Sequence, residues 1–227
     1  MEFNIARYID HSILKPEMTQ EESKKAILEG VAFSTRTVCV RPCDIELAVS
    51  LCKGTKTDVC CVLAFPHGCV PTEVKAFEAS NYVSKGLSEI DMVANFGFIK
   101  SGLWDLVQRD IQAVSDVTKK AGVLLKVIFE TCTLNVEEIK RTTEICIEAG
   151  ADFVKTSTGF HNQGATFEAI QAMLEASKGR IRVKASGGIR DFETAKHYID
   201  MGVERLGVGS STTNVLVNGV GKSNSGY

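Results

Sequence analysis

The chain alternates short runs of apolar and β-branched residues with longer segments whose apolar positions recur every three or four residues. The first pattern marks strands and the second marks amphipathic helices. Eight short runs are predicted as strands, at 8–12, 37–40, 58–65, 89–95, 124–130, 153–158, 182–186 and 205–208. Helices are predicted between them at 20–29, 43–52, 72–85, 104–120, 136–149, 167–177 and 192–201. Thr72 and Asp191 stand where helix N-caps are needed, and Gly30, Gly86, Gly122, Gly150 and Gly202 stand where helices should end. Repeated strand and helix units call for a parallel sheet, and eight strands close one into a barrel. The expectation is one α/β domain over residues 1–217, a (β/α)8 barrel, and a Gly-, Ser- and Asn-rich tail over 218–227 that should be mobile.

Composition narrows the function. A chain of 227 residues, 44% hydrophobic and 24% charged, fits one large core. Its net charge of -2 gives no overall attraction to nucleic acid or an anionic membrane, which favours a small ligand held at a local anion site. No apolar run approaches the roughly 20 residues of a membrane span, and residues 1–10 lack a secretion-signal pattern. A soluble, cytoplasmic protein is expected. The eight cysteines form no Cys-x-x-Cys pair, and His11, His67, His161 and His197 are scattered, so reduced thiols are expected and no metal site is.

Reactive groups in such a barrel stand at the carboxyl ends of the strands. Three predicted strands carry ionisable residues in apolar settings: Glu89-Ile90-Asp91-Met92-Val93, Phe153-Val154-Lys155 and Arg182-Val183-Lys184. One mid-strand lysine is as readily a salt-bridged structural residue as a reactive one. Two on adjacent strands change this, because desolvation and like-charge repulsion should lower both, toward about 7 or 8, leaving a neutral amine that attacks a carbonyl. Asp91 would move protons as an imine forms and hydrolyses, or simply neutralise a lysine, and Lys126 is another partner for it. Lys155, Lys184 and Asp91 are therefore the catalytic candidates.

Gly159, Gly187-Gly188 and Gly207-Val208-Gly209-Ser210-Ser211 follow the last three strands. Glycines let backbone N–H groups close on an anion, and the loops after strands seven and eight are a recurrent phosphate site. Either loop alone reads as turn chemistry; both together point to phosphate. His11 reads equally as a satisfied structural residue and stays outside the catalytic set. Cys39 lines the pocket or is an inert buried thiol, and without a basic neighbour the inert reading is preferred.

Taken together, Ile9-Asp10-His11-Ser12-Ile13-Leu14-Lys15-Pro16, Val38-Cys39-Val40, Glu89-Ile90-Asp91-Met92-Val93, Lys155-Thr156-Ser157-Thr158-Gly159 and Val183-Lys184-Ala185-Ser186-Gly187-Gly188-Ile189-Arg190 resemble the deoxyribose-phosphate aldolases, in order and over nearly the whole chain. The resemblance implies a single TIM barrel, Lys155 as the Schiff-base lysine, Lys184 as the partner that lowers its pKa, and Asp91 as the proton relay. It implies that Asp10, Ser12 and Leu14 border the substrate, and Cys39 and Thr158 join them as binding candidates. The implied reaction splits 2-deoxyribose 5-phosphate into glyceraldehyde 3-phosphate and acetaldehyde, with no metal or other cofactor. The implied partners are a small phosphorylated sugar and acetaldehyde, with no nucleic acid and no membrane, and a homodimer is compatible with the sequence.

Two positions depart from the family pattern. Ser12 stands where threonine is usual, and glycine replaces one of the residues expected after strand eight, leaving open which of Ser210 and Ser211 meets phosphate. Tyr227 ends the tail in a phenol that could close over the mouth and assist proton transfer, although a disordered terminus is the simpler reading. The alternatives are a Schiff-base barrel for another phosphosugar and a sugar-phosphate sensor that has lost its chemistry.

Overall fold

The computed structural model describes residues 3–219. Eight strands, β1 (Ile9–Ile13), β2 (Thr37–Val40), β3 (Asp58–Leu63), β4 (Glu89–Val93), β5 (Leu124–Ile128), β6 (Phe153–Lys155), β7 (Arg182–Ser186) and β8 (Arg205–Gly209), pair in parallel and in chain order. β8 returns to β1 with Asp10 opposite Gly207, which closes the barrel. The outer layer holds α1 (Gln20–Ala32), α2 (Ile45–Cys52), α3 (Thr72–Val83), α4 (Phe96–Lys100), α5 (Trp104–Ala121), α6 (Val136–Glu148), α7 (Phe167–Ser177), α8 (Phe192–Asp200) and α9 (Ser210–Asn218). Among the described residues, no helix is long and apolar enough to cross a membrane.

Strand alternation gives the barrel wall two unlike faces. Ile9, Val38, Ile90, Leu125, Val127, Val154, Val183 and Leu206 point out and join one apolar core with the inner sides of the helices. Their neighbours Asp10, Thr37, Glu89, Asp91, Lys126, Lys155, Lys184 and Arg205 point in, so the interior is filled largely by charge. A small apolar group, Leu14, Cys39, Cys60 and Val62, occupies the β1 to β3 side of that interior.

Local chemistry sets the helix ends, and some of it differs from expectation. Asp191 caps α8, accepting from Thr194 N at 2.8 Å. Thr72 is not a cap: Pro71 holds that position, and the Thr72 hydroxyl donates to Asp110 of α5 at 3.0 Å. Gly30 does not end α1 but lies inside it, where a Cβ would come within 2.7 Å of Val38 Cγ1. Its role is close helix-to-strand approach rather than left-handed geometry. Gly86, Gly122, Gly150 and Gly202 do follow their helices with positive φ.

Four strands end earlier than predicted, β4 among them at Val93. β3 stops at Leu63, where Ala64 turns to φ 52°, and β5 stops at Ile128, before Glu130 turns to φ 57°. β6 stops at Lys155, although Thr156 N still donates to Lys184 O at 3.1 Å. α2 begins at Ile45 because Pro42–Asp44 forms a separate 3-10 turn.

α4 and α9 are not in the sequence-based prediction. α9 carries the β-branched pair Thr212 and Thr213, poor intrinsic helix formers. Tertiary contacts hold it instead: Leu216 is fully buried in the core, and the Thr213 hydroxyl bonds His11 at 2.7 Å. Asn218 closes α9 and Gly219 caps it at φ 65°. Tyr227 lies outside the described residues.

Candidate active site

Asp91 sits inside the barrel on β4 and gathers three ammonium groups. Lys155 donates to its Oδ2 at 2.8 Å and Lys184 to the same oxygen at 2.7 Å, while Lys126 donates to Oδ1 at 2.7 Å. Register explains the meeting: Asp91 faces Lys126 across β4 and β5, and Lys155 faces Lys184 across β6 and β7. All four side chains are fully buried. Burial alone would raise the Asp91 carboxyl, but Lys126, Lys155 and Lys184 outweigh it and hold the group well below the usual carboxylate range.

Behind this centre stands a second tier. Asp10 pairs with Lys184, accepts from Arg205 Nη1 at 2.6 Å and accepts from the Thr37 hydroxyl at 2.8 Å. Glu89 accepts from Arg205 at 2.8 and 3.2 Å and bridges Lys126 at 2.5 Å. Four cations (Lys126, Lys155, Lys184, Arg205) thus share three carboxylates (Asp10, Glu89, Asp91). Among the described residues, Lys155 bridges Asp91 and no other carboxylate.

Lys184 corrects the expected shared lowering of the two lysines. Burial pushes its ammonium down, yet Asp10 and Asp91 more than compensate and hold it above the ordinary lysine value. Lys126 is likewise held well above its ordinary value, as Asp91, Cys60 and Glu89 outweigh its burial. The sheet places carboxylates close enough to Lys184 and Lys126 to outweigh the repulsion between like charges.

Cys39 also differs from expectation, because it does have basic neighbours. A hydrogen bond with Cys60 lowers its thiol against the opposing effect of burial, and Lys184 and Lys155 act in the same direction. Cys60 donates to Asp91 Oδ1 at 3.2 Å, and the ligand atoms of Cys39, Cys60 and Asp91 lie within 4.8 Å of one another. That spacing would suit a cation, but the ammonium groups already on Asp91 oppose one.

The remaining predicted residues divide between two cavities at the carboxyl end of the barrel. One, of about 270 Å³, is lined by Gly159, Gly187, Gly188, Gly207 and Gly209, together with Arg190 and His161. The other, of about 320 Å³, is lined by Ser12, Leu14, Gly209, Ser210 and Ser211. Gly209 belongs to both and is the N-cap of α9, so the N-terminal end of that helix lies beside both cavities. Gly187, at φ 79°, lies so close to the loop after β6 that a Cβ on Gly164 would meet Gly187 C at 2.2 Å. Thr158 is engaged elsewhere: its hydroxyl donates to buried Glu130 and accepts from Phe160 N at 3.0 Å.

Sequence reasoning assigned no role to Glu89, Arg205, Cys60, Glu130 or Arg190. A signal was present for Glu89, which shares the inward face of β4 with Asp91 at a spacing of two, and for Arg190, a cation two residues after the Gly187-Gly188 turn. His11 faces the helix layer. Its Nε2 donates to Ala26 O at 2.9 Å, leaving Nδ1 to accept from Thr213, and it takes no part in the charged interior.

Comparison with known proteins identifies the family. Residues 5–211 match the family model described as DeoC/LacD family aldolase. A deoxyribose-phosphate aldolase of an Exiguobacterium species is 46% identical over 224 residues, covering 98% of this chain and 99% of its own. One from a Thermoanaerobacter species is 45% identical over 205 residues, covering 90% and 92%. Among solved structures, the aldolase QR15 superposes with a TM-score of 0.89 at 43% identity, covering 95% of each chain. A tetrameric deoxyribose phosphate aldolase from Aeropyrum pernix superposes at 0.85 with 29% identity, covering 93% of this chain and 89% of that one. A barrel core, a buried cluster of lysines on one aspartate and near full-length identity lead to one assignment: the chain belongs to the DeoC/LacD family of aldolases, in its deoxyribose-phosphate aldolase branch.

Proposed function

We propose that the protein reversibly cleaves 2-deoxy-D-ribose 5-phosphate to D-glyceraldehyde 3-phosphate and acetaldehyde through an imine on Lys155, in deoxyribose phosphate catabolism. The observation that carries this reading is the single oxygen, Asp91 Oδ2, that Lys155 and Lys184 share. Three carboxylates balance three cations, so one of the four cations is in excess. Lys155, with one carboxylate partner among the described residues, is the lysine least committed to ion pairing and the one read as the nucleophile. Lys184 keeps its proton between Asp10 and Asp91 and supplies the fixed positive charge beside the nucleophile.

Neutral Lys155 adds to C1 of the open-chain aldehyde; the Asp91 carboxylate takes a proton from the adding nitrogen and relays it through water to the C1 oxygen, and one further proton from solvent lets that hydroxyl leave as water. The resulting iminium is the electron sink. A base takes the proton of the 3-hydroxyl, the C2–C3 bonding pair moves into C1–C2, and C3 leaves as the aldehyde carbon of glyceraldehyde 3-phosphate. The enamine left on Lys155 is protonated at C2, and water releases acetaldehyde. In this reading the phosphate binds at the glycine-lined cavity, a choice supported by Gly187, Gly188, Gly209 and the cation Arg190 in its lining.

Borohydride reduction in the presence of acetaldehyde, followed by peptide mass mapping, tests the reading. The expected adduct is on Lys155; an adduct elsewhere, or full activity with none, overturns it.

A further inference from the structure

Three consecutive hydroxyl residues follow Lys155, and two are fully engaged. Thr156 ties β6 to β7, its hydroxyl donating to Ser186 O at 3.1 Å and accepting from Ser186 N at 3.0 Å. Thr158 donates to Glu130 and accepts from Phe160 N. Between them, Ser157 is completely buried, and its Oγ is the buried side-chain polar atom that has no hydrogen-bond partner among the described residues. A buried hydroxyl left unpaired costs stability, and native proteins keep such a group where something else uses it.

Its position shows what would use it. Ser157 lies two residues beyond Lys155, just past the end of β6, where Thr156 N still bonds Lys184 O. Two residues beyond it is Gly159, on the wall of the glycine-lined cavity. Ser157 Cβ lies 3.7 Å from where a side chain on Gly187 would begin, so it stands beside the second glycine of that wall as well. Ser157 thus stands in the chain midway between Lys155 and the glycine-lined cavity, where the middle carbons of a substrate joined to Lys155 with its phosphate against the glycines would come.

We propose that the Ser157 hydroxyl is a binding contact for a hydroxyl group in the middle of the sugar chain, at C3 or C4, and thereby selects polyhydroxylated acceptor aldehydes over simple ones. This rests on the reaction proposed above. In the free enzyme the group carries a stability penalty that the bound substrate relieves, so function and stability pull in opposite directions at this one atom.

The test compares wild type with Ser157→Ala and Ser157→Cys, the latter keeping the volume with a weak hydrogen-bonding group. Both variants are expected to melt at or above the wild-type temperature. Both should lose about 5- to 10-fold in kcat/KM for 2-deoxyribose 5-phosphate, the range of one neutral hydrogen bond. Borohydride trapping of acetaldehyde on Lys155, a ligand with no hydroxyl to offer, is the internal reference and should proceed at the wild-type rate. Unchanged kcat/KM, or a loss that accompanies a lower melting temperature in both variants, overturns the proposal while leaving the imine chemistry standing. Failure of wild type to trap acetaldehyde on Lys155 removes the parent reading and this inference together.

Discussion

Lys155 and Lys184 donate to one oxygen of Asp91, at 2.8 and 2.7 Å, from neighbouring strands on which they stand directly opposite each other. Two ammonium-bearing side chains are brought together because one carboxylate makes their closeness tolerable. They are not equivalent: Lys184 has Asp10 as a second partner, and Lys155 has none among the described residues.

Asp91→Asn should therefore damage both fold and function. It preserves shape but removes the charge that three buried lysines share. Removing one partner of a buried pair costs about 3–5 kcal/mol, and losing an acid–base group typically costs at least about 100-fold in turnover. Urea unfolding and steady-state rates measure the two effects, and a midpoint equal to wild type would show that the lysines do not depend on Asp91.

Most of the scaffold was legible in the sequence because strand and helix periods are local properties. The runs at 37–40 and 182–186 coincide with β2 and β7, and the helix at 167–177 coincides with α7. α9 was hidden because its threonines argue against a helix until Leu216 and the His11 contact are in place. The grouping of Lys155, Lys184 and Asp91 was legible from ionisable residues in the apolar settings of three predicted strands. The protonation of Lys184 was not, since it depends on Asp10, which is 174 residues away in the chain and becomes a neighbour only through closure of β8 on β1.

Gly207→Ala should injure activity more than stability. A Cβ at this position would stand 2.3 Å from Ser186 Oγ and 3.2 Å from Lys184 Cε. The serine hydroxyl or the lysine stem must move, and the displacement is transmitted to the ammonium on Asp91. Overpacking of this kind costs about 1–3 kcal/mol in stability. The expected result is a folded protein with modestly lower thermal stability and a fall in kcat larger than the fall in affinity. Wild-type kcat in a folded Gly207→Ala protein would show that Lys184 has more room than its surroundings indicate.

Arg190→Ala addresses the phosphate end. Arg190 lines the glycine cavity, and a charge-assisted contact to phosphate is worth about 1.5–3 kcal/mol, or roughly 10- to 150-fold in binding. KM for 2-deoxyribose 5-phosphate should rise by about that factor, while kcat/KM for unphosphorylated 2-deoxyribose stays close to wild type. An equal loss on both substrates would place the effect of Arg190 in the loop's structure rather than in phosphate recognition.

His11 makes stability depend on pH between about 4 and 6.5. Burial lowers its folded value to about 4 from an ordinary 6.5, with the hydrogen bond to Ala26 opposing only part of that effect. Between those values the unfolded chain binds a proton that the folded chain refuses, so folding stability rises with pH across this window and falls as the medium is acidified. The shift corresponds to about 3 kcal/mol, present in full above pH 6.5 and lost progressively as pH drops toward 4. His11→Gln, which cannot take up a proton, should be less stable than wild type at pH 7 because the bonds to Thr213 and Ala26 are disturbed. Its stability should change less steeply from pH 6.5 to 4. Urea midpoints at half-unit pH steps for the two proteins supply the comparison, and parallel curves would mean that His11 titrates in the folded state much as it does in the unfolded chain.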